Sequence, residues 1–125
     1  MGKFIIKSTS RGFNFGLKAV NGQIIVTGGE LFNSIASVKG GIESVLQNAP
    51  IAYLEDQTVN GFKSQAHPKF EIFKDNAGEF RFRLKAKDGE IIAVSEGYVK
   101  KDSCKNGIES VRRNVINACV LDPLP

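Results

Sequence analysis

Tryptophan is missing from the 125 residues, and the chain carries two cysteines, one histidine and one methionine. These shortages exclude whole classes of chemistry. Cys104 and Cys119 form no CxxC or zinc-ligand spacing, and His67 has no co-ligands beside it, so neither a metal site nor a cofactor is expected. No apolar run approaches the roughly 18 residues that would span a bilayer. Only Gly2 separates Met1 from the strand-like KFIIK, which is expected to leave no room for a signal peptide. The expectation is a cytoplasmic protein with no membrane contact and no disulfide. Charge of one sign is lacking too: 17 basic against 13 acidic side chains give a formal net charge of +4, which permits weak attraction to nucleic acid and does not demand it.

What the chain does have is a repeat. KFIIKSTSRG at Lys3 faces KFEIFKDNAG at Lys69, FGLKAVNGQII at Phe15 faces FRLKAKDGEII at Phe82, and SVKGGIESVLQN at Ser37 faces SCKNGIESVRRN at Ser103. About 22 of the aligned positions are identical, far beyond chance for a unit this short. The units run from Lys3 to Asp56 and from Lys69 to Asp122, so residues 1–56 form a first repeat, 57–68 a connector and 69–125 a second repeat. Asn60-Gly61, Ser64 and Pro68 mark the connector as a link without an element of its own.

Each unit carries the same periodicities. Phe80, Phe82, Leu84 and Ala86 alternate with Glu79, Arg81, Arg83 and Lys85, which predicts a strand with one buried and one wet face. Asn21-Gly22 and Asp88-Gly89 predict tight two-residue type I′ hairpins, with Gly22 and Gly89 supplying positive φ. A helix follows, buried through Val38, Gly41, Ile42, Val45 and Ala49 in the first unit, and through Cys104, Gly107, Ile108, Val111 and Val115 in the second. Ser34 is read as the first helix cap, and Asp102 or Ser103 as the second. IAYLED and NACVLD each predict a closing strand.

The unit is therefore β-β-β-α-β. About 50 residues with one helix hold too small a core to stand alone, so two units should fuse. The expected fold is α+β: one mainly antiparallel sheet, both helices on one face, and a pseudo-two-fold axis within a monomer. Gly41 and Gly107, mid-helix glycines on the buried stripe, are expected to allow a close approach of each helix to the sheet or to its twin.

KFEIFKDNAGEFRFRLKAKDGEII, SEGY and SCKNGIESVRRN closely resemble the bacterial YegP-like domain of unknown function, which often occurs as a tandem repeat. The first copy departs from the pattern, with FNFGL for FRFRL and GELF for SEGY. The resemblance implies a β(3)-α-β unit paired into one sheet, with the last strands exchanged between units. It implies no catalytic residues.

RGFNFGLK at Arg11 partly matches an RNA-binding RNP1 motif, but Phe13, Phe15 and Leu17 fall on the face the helix should cover and are read as core. Arg81, Arg83 and Lys85 line the wet face of a strand about 7 Å apart, a spacing comparable with that of phosphates; they are the possible polyanion contact, with Glu71 and Glu90 as competing ion-pair partners. Glu43 and Glu109 recur on the helices, but no base can be placed beside them, and Glu109 precedes Arg112 and Arg113 at ion-pairing distance along the helix. Ser44 and Ser110 read as core-side or capping groups, Cys104 and Cys119 as small hydrophobes, and His67 as a solvated connector residue. No catalytic residue is assigned. The chain reads as a small non-catalytic binding or interaction module of unknown ligand. The alternatives are an enzyme or enzyme accessory with a site at the repeat junction, and weak nucleic-acid binding by the basic strand.

Overall fold

The computed structural model describes residues 2–121, so the predicted end of the second unit at Asp122 lies outside the described residues. The first unit gives strands β1 (Lys3–Thr9), β2 (Gly12–Lys18) and β3 (Ile24–Gly28), helix α1 (Ile35–Asn48), a 3-10 turn (Ala49–Ile51) and β4 (Tyr53–Asp56). The second gives β5 (Lys69–Lys74), β6 (Phe80–Lys85), β7 (Ile91–Ser95), α2 (Lys101–Asn114) and β8 (Cys119–Leu121).

One sheet takes all eight strands in the order β4-β5-β6-β7-β3-β2-β1-β8. The pseudo-two-fold axis passes between β3 and β7, which pair antiparallel from Val26↔Ser95 to Gly28↔Ala93. The last strands are exchanged: β4 lies parallel to β5 of the second unit, and β8 lies parallel to β1 of the first. Neither unit closes its own sheet. On the second half the exchange is fixed by polar contacts, because Arg112 donates to the carbonyls of Ala49 and Ala52 at 3.2 and 2.8 Å, and Lys101 pairs with Asp56 at 2.9 Å. On the first half Leu46 stands where Arg112 does, beside Val120 of β8.

Both helices cover one face. Phe4, Phe15 and Leu17 of one half and Phe70, Phe82 and Leu84 of the other meet Val38, Ile42 and Val45 of α1, and Cys104, Ile108 and Val111 of α2, in a single buried core. Phe15 is 1% exposed and Leu17 0%, so both are packing residues, and Phe13 packs against the same core. Ser34 caps α1 as expected, its hydroxyl accepting from the Ser37 amide at 3.1 Å. At α2 the expectation is corrected: the helix begins earlier, at Lys101, with Lys100 in the cap position and no side-chain cap bond.

The hairpins also differ from expectation. Gly22 and Gly89 have φ of +87° and +85°, whereas Asn21 and Asp88 are absent from the positive-φ residues. Gly22 N–H donates to Ala19 C=O and Ala19 N–H to Gln23 C=O, each at 2.9 Å, and Gly89 and Ala86 repeat the pattern. These are three-residue loops, in which a single glycine carries the left-handed conformation after a turn. The extra residue, Val20 or Lys87, relieves Asn21 and Asp88 of the strained φ that a two-residue loop would impose.

The mid-helix glycines make room for a ring. A Cβ at Gly41 would stand 2.6 Å from Phe32 Cζ, and one at Gly107 would collide with the Tyr98 hydroxyl. Phe32 and Tyr98 bridge to Phe13 and Phe80 at the sheet margin and slide under the helices, Tyr98 stacking on Phe82 at 6.4 Å.

Candidate functional site

The sheet face away from the helices carries one cross-strand row over its whole width: Glu55, Glu71, Arg83, Val94, Thr27, Gly16, Ile5, Leu121. The pseudo-two-fold axis pairs Glu55 with Leu121, Glu71 with Ile5 and Arg83 with Gly16. A neighbouring row sets Lys69 opposite Lys85 in one half and Lys3 opposite Lys18 in the other. The lysines recur in both halves, and the acids do not.

In the second half every one of these cations has a carboxylate. Glu71 lies 2.6 Å from Arg83 and 3.2 Å from both Lys69 and Lys85, and Lys69 reaches Glu55 at 2.8 Å. Arg81 pairs with Asp75 at 2.6 Å. The face expected to be wet is closed at this point, with Glu55 2% and Glu71 1% exposed. The connector returns over it, since Gln65 N–H donates to Glu55 at 2.7 Å and the Gln57 amide donates to the same carboxylate at 2.6 Å. Burial alone would raise the Glu55 carboxyl; the bonds from Lys69, Gln57 and the Gln65 amide outweigh it and hold the group at about 2. Glu71 is lowered in the same way, burial being overcome by Arg83, Lys69 and Lys85. The bond to Glu55 raises Lys69 against its own desolvation.

The first half lacks these neutralising groups. Lys3 and Lys7 are exposed and Lys18 half-buried, and among the described residues none of the three has a carboxylate within ion-pairing distance. No Asp or Glu occurs before Glu30. Ile24 leans over Gly16, and Ile5 and Leu121 lie between the lysines, with Leu121 45% exposed. Lys3 and Lys18, directly opposed like charges, carry an electrostatic cost that their counterparts do not.

Two further clefts lie at the repeat junction, each between one helix and the other unit's hairpin. One, of about 410 Å³, is lined by Ala19, Asn21, Ser110, Arg113 and Asn114, and its counterpart of about 270 Å³ by Gln47, Asn48, Lys87 and Asp88. Ser110 and Ser44 accept from the Asn114 and Asn48 amides at 3.1 and 3.3 Å, which ties the repeated serine to its own helix. Glu43 bonds Gln47 at 3.4 Å and Glu109 pairs with Arg112 at 3.4 Å, both on exposed helix surface; no pair joins Glu109 to Arg113. Cys104 is fully buried, and desolvation, reinforced by Asp56, pushes its thiol up to about 11. Cys119 is exposed on β8, and His67 lies beside the Gly89 turn. Among the described residues no cluster of His, Cys, Asp or Glu is placed to hold a metal ion, and no helix is long and apolar enough to cross a membrane.

Sequence reasoning found this face, through Arg81, Arg83 and Lys85, but passed over Lys3 and Lys7 and read Asn14, Gly16 and Lys18 of the first copy as too little for a second site. The available signal was the acid-free first 29 residues.

Comparison with known proteins agrees with the duplicated architecture. The profile of DUF1508, a domain of unknown function, matches residues 8–56 and again 75–122. The UPF0339 protein YegP of Yersinia pestis is 34% identical over 98% of this chain and 96% of its own length. A shorter UPF0339 protein of Treponema denticola is 57% identical over 54 residues, which are 43% of this chain and 93% of that protein, a stretch the size of one unit. The solution structure of YegP from E. coli, described as a protein of unknown function, superposes with a TM-score of 0.76 at 34% identity, covering 97% of this chain and 91% of that one.

Proposed function

Since this chain belongs to the DUF1508 family, a domain of unknown function, we propose a reading from its own surface: it is a non-catalytic binding module, a cytoplasmic monomer whose working surface is the open sheet face of β1, β2 and β8. A single contrast supports this. Lys69 and Lys85 share Glu71 at 3.2 Å, while Lys3 and Lys18, opposed in the same way, face Ile5 in its place. Arg81, Arg83 and Lys85 are assigned to internal ion pairing, which leaves the first half as the anion-attracting surface. Glu43 and Glu109 are assigned to the helix surface.

Lysate from the source cell, passed over immobilised parent chain and over immobilised Lys3→Glu/Lys18→Glu, tests the reading. A retained species lost on the variant at unchanged melting temperature supports it. Identical retained sets on the two forms overturn it.

A further inference from the structure

Among the described residues the two halves of the open face differ in what lies on them, and the half beside the connector is a template for the other. On the second half a stretch of the chain itself, the connector, bonds Glu55 of the edge strand through Gln65 N–H and the Gln57 amide. On the neighbouring strand Glu71 pairs with Lys69 and Lys85 together. The corresponding place on the first half has the same two lysines, Lys3 and Lys18, but Ile5 and Leu121 replace the acids. Among the described residues no carboxylate stands at this place.

We propose that this surface docks an extended acidic segment of a partner protein, whose carboxylate bridges Lys3 and Lys18 as Glu71 bridges their counterparts. The proposal rests on the binding-module reading above and names its ligand class. The pattern of β1 sets the pattern of the ligand. Lys3, Ile5 and Lys7 point to the same face, with the two lysines about 13 Å apart along the strand. An extended segment reading acid, spacer, apolar, spacer, acid repeats that spacing with complementary groups. Two other occupants fit less well. A nucleic acid would meet no aromatic platform here, because Phe4, Phe13 and Phe15 lie on the helix side, and the apolar Ile5 and Leu121 occupy the middle of its path. A second copy docked face to face would set lysine against lysine.

Nitrogen-15-labelled chain is titrated at low ionic strength with the peptide TETVTET, its counterpart TKTVTKT, a 12-base-pair DNA duplex and a 12-nucleotide oligothymidine. The expected result is TETVTET shifts confined to the amides around Lys3, Ile5, Lys7, Gly16 and Lys18, no response to TKTVTKT, and binding weakened about tenfold or more in Lys3→Glu/Lys18→Glu. Lys3→Gln/Lys18→Gln keeps the test usable where charge reversal disturbs folding, and weakens binding in the same direction. Larger shifts from either nucleic acid at these residues overturn the peptide proposal and leave the binding-face reading standing. Concentration-dependent shifts without any probe assign the face to a second copy and overturn it also. Silence from every probe overturns it, and the lysate comparison then decides the binding-face reading separately.

Discussion

Glu71 and Arg83 meet at 2.6 Å across β5 and β6, and the residues in the same two places of the other half are Ile5 and Gly16. The duplicated framework has kept its core on the helix side and taken opposite electrostatic solutions on the open side. One half is neutralised and partly sealed by the connector. The other presents cations around an apolar floor.

Removing the central acid should be costly. Glu71→Ala leaves Lys69, which is 5% exposed, and the half-buried Arg83 and Lys85 without their shared carboxylate. Lys69 keeps Glu55, and Arg83 and Lys85 keep some contact with solvent, so the loss should be about 1–3 kcal/mol. Urea unfolding should show that loss, and a variant within about 0.5 kcal/mol of the parent would refute the cluster.

Acid should weaken the same region. The Glu55 carboxyl is held at about 2 in the folded chain against its ordinary 4.5, so its stabilisation is complete above pH 4.5 and is lost as the pH falls from 4.5 toward 2. At 1.36 kcal/mol per pH unit the loss is on the order of 3 kcal/mol. Asp56 and Glu71 are lowered too and act in the same direction. Glu55→Gln should flatten the fall in stability over this window, as followed by denaturant titration at each pH, and an undiminished slope would contradict the assignment.

Two helix glycines, Gly40 of α1 and Gly107 of α2, should respond with opposite sign. A Cβ at Gly40 meets nothing within 4 Å, so Gly40→Ala should stabilise α1 by up to about 1 kcal/mol through helix propensity. Gly107→Ala gains the same propensity but runs into Tyr98 and Phe82, and should destabilise by about 1–3 kcal/mol. Thermal unfolding distinguishes the two, and equal stabilisation by both would remove the packing role of Gly107.

Much of this architecture was legible in the sequence because it depends on local periodicity read twice. Alternation placed Phe82 and Leu84 inward, and the three-four spacing placed Ile108 and Val111 on the buried stripe of α2. Exchange of β4 and β8 depends on which long-range partner accepts each edge, and it entered through the family resemblance rather than through any residue pattern. The ring that occupies the space above Gly107 was not foreseen, since Tyr98 approaches from a joint that carries no periodic signal. Burial of Glu71 escaped for a similar reason. Its strand alternates as a half-wet strand should, and the side chains that meet Glu71 (Arg83 and Lys85 of β6, together with Lys69) converge on it only once the strands are paired in register.

The exchange has its own consequence. A chain comprising residues 69–125 alone carries β8 but lacks β4, the strand that should line β5. Two such chains can supply the missing parallel neighbour to one another, so the fragment should sediment as a dimer with concentration-dependent stability. A folded monomeric fragment would show that the exchange is dispensable.

The electrostatic difference between the two halves is tested most directly by lysine acylation of the native chain at neutral pH, resolved residue by residue by mass spectrometry. Lys3, Lys7 and Lys18, which lack carboxylate partners among the described residues, should react about tenfold or more faster than Lys69, which is 5% exposed and paired with Glu55 and Glu71, and faster than Lys85, which is paired with Glu71. Similar rates at Lys3 and Lys69 would contradict the account.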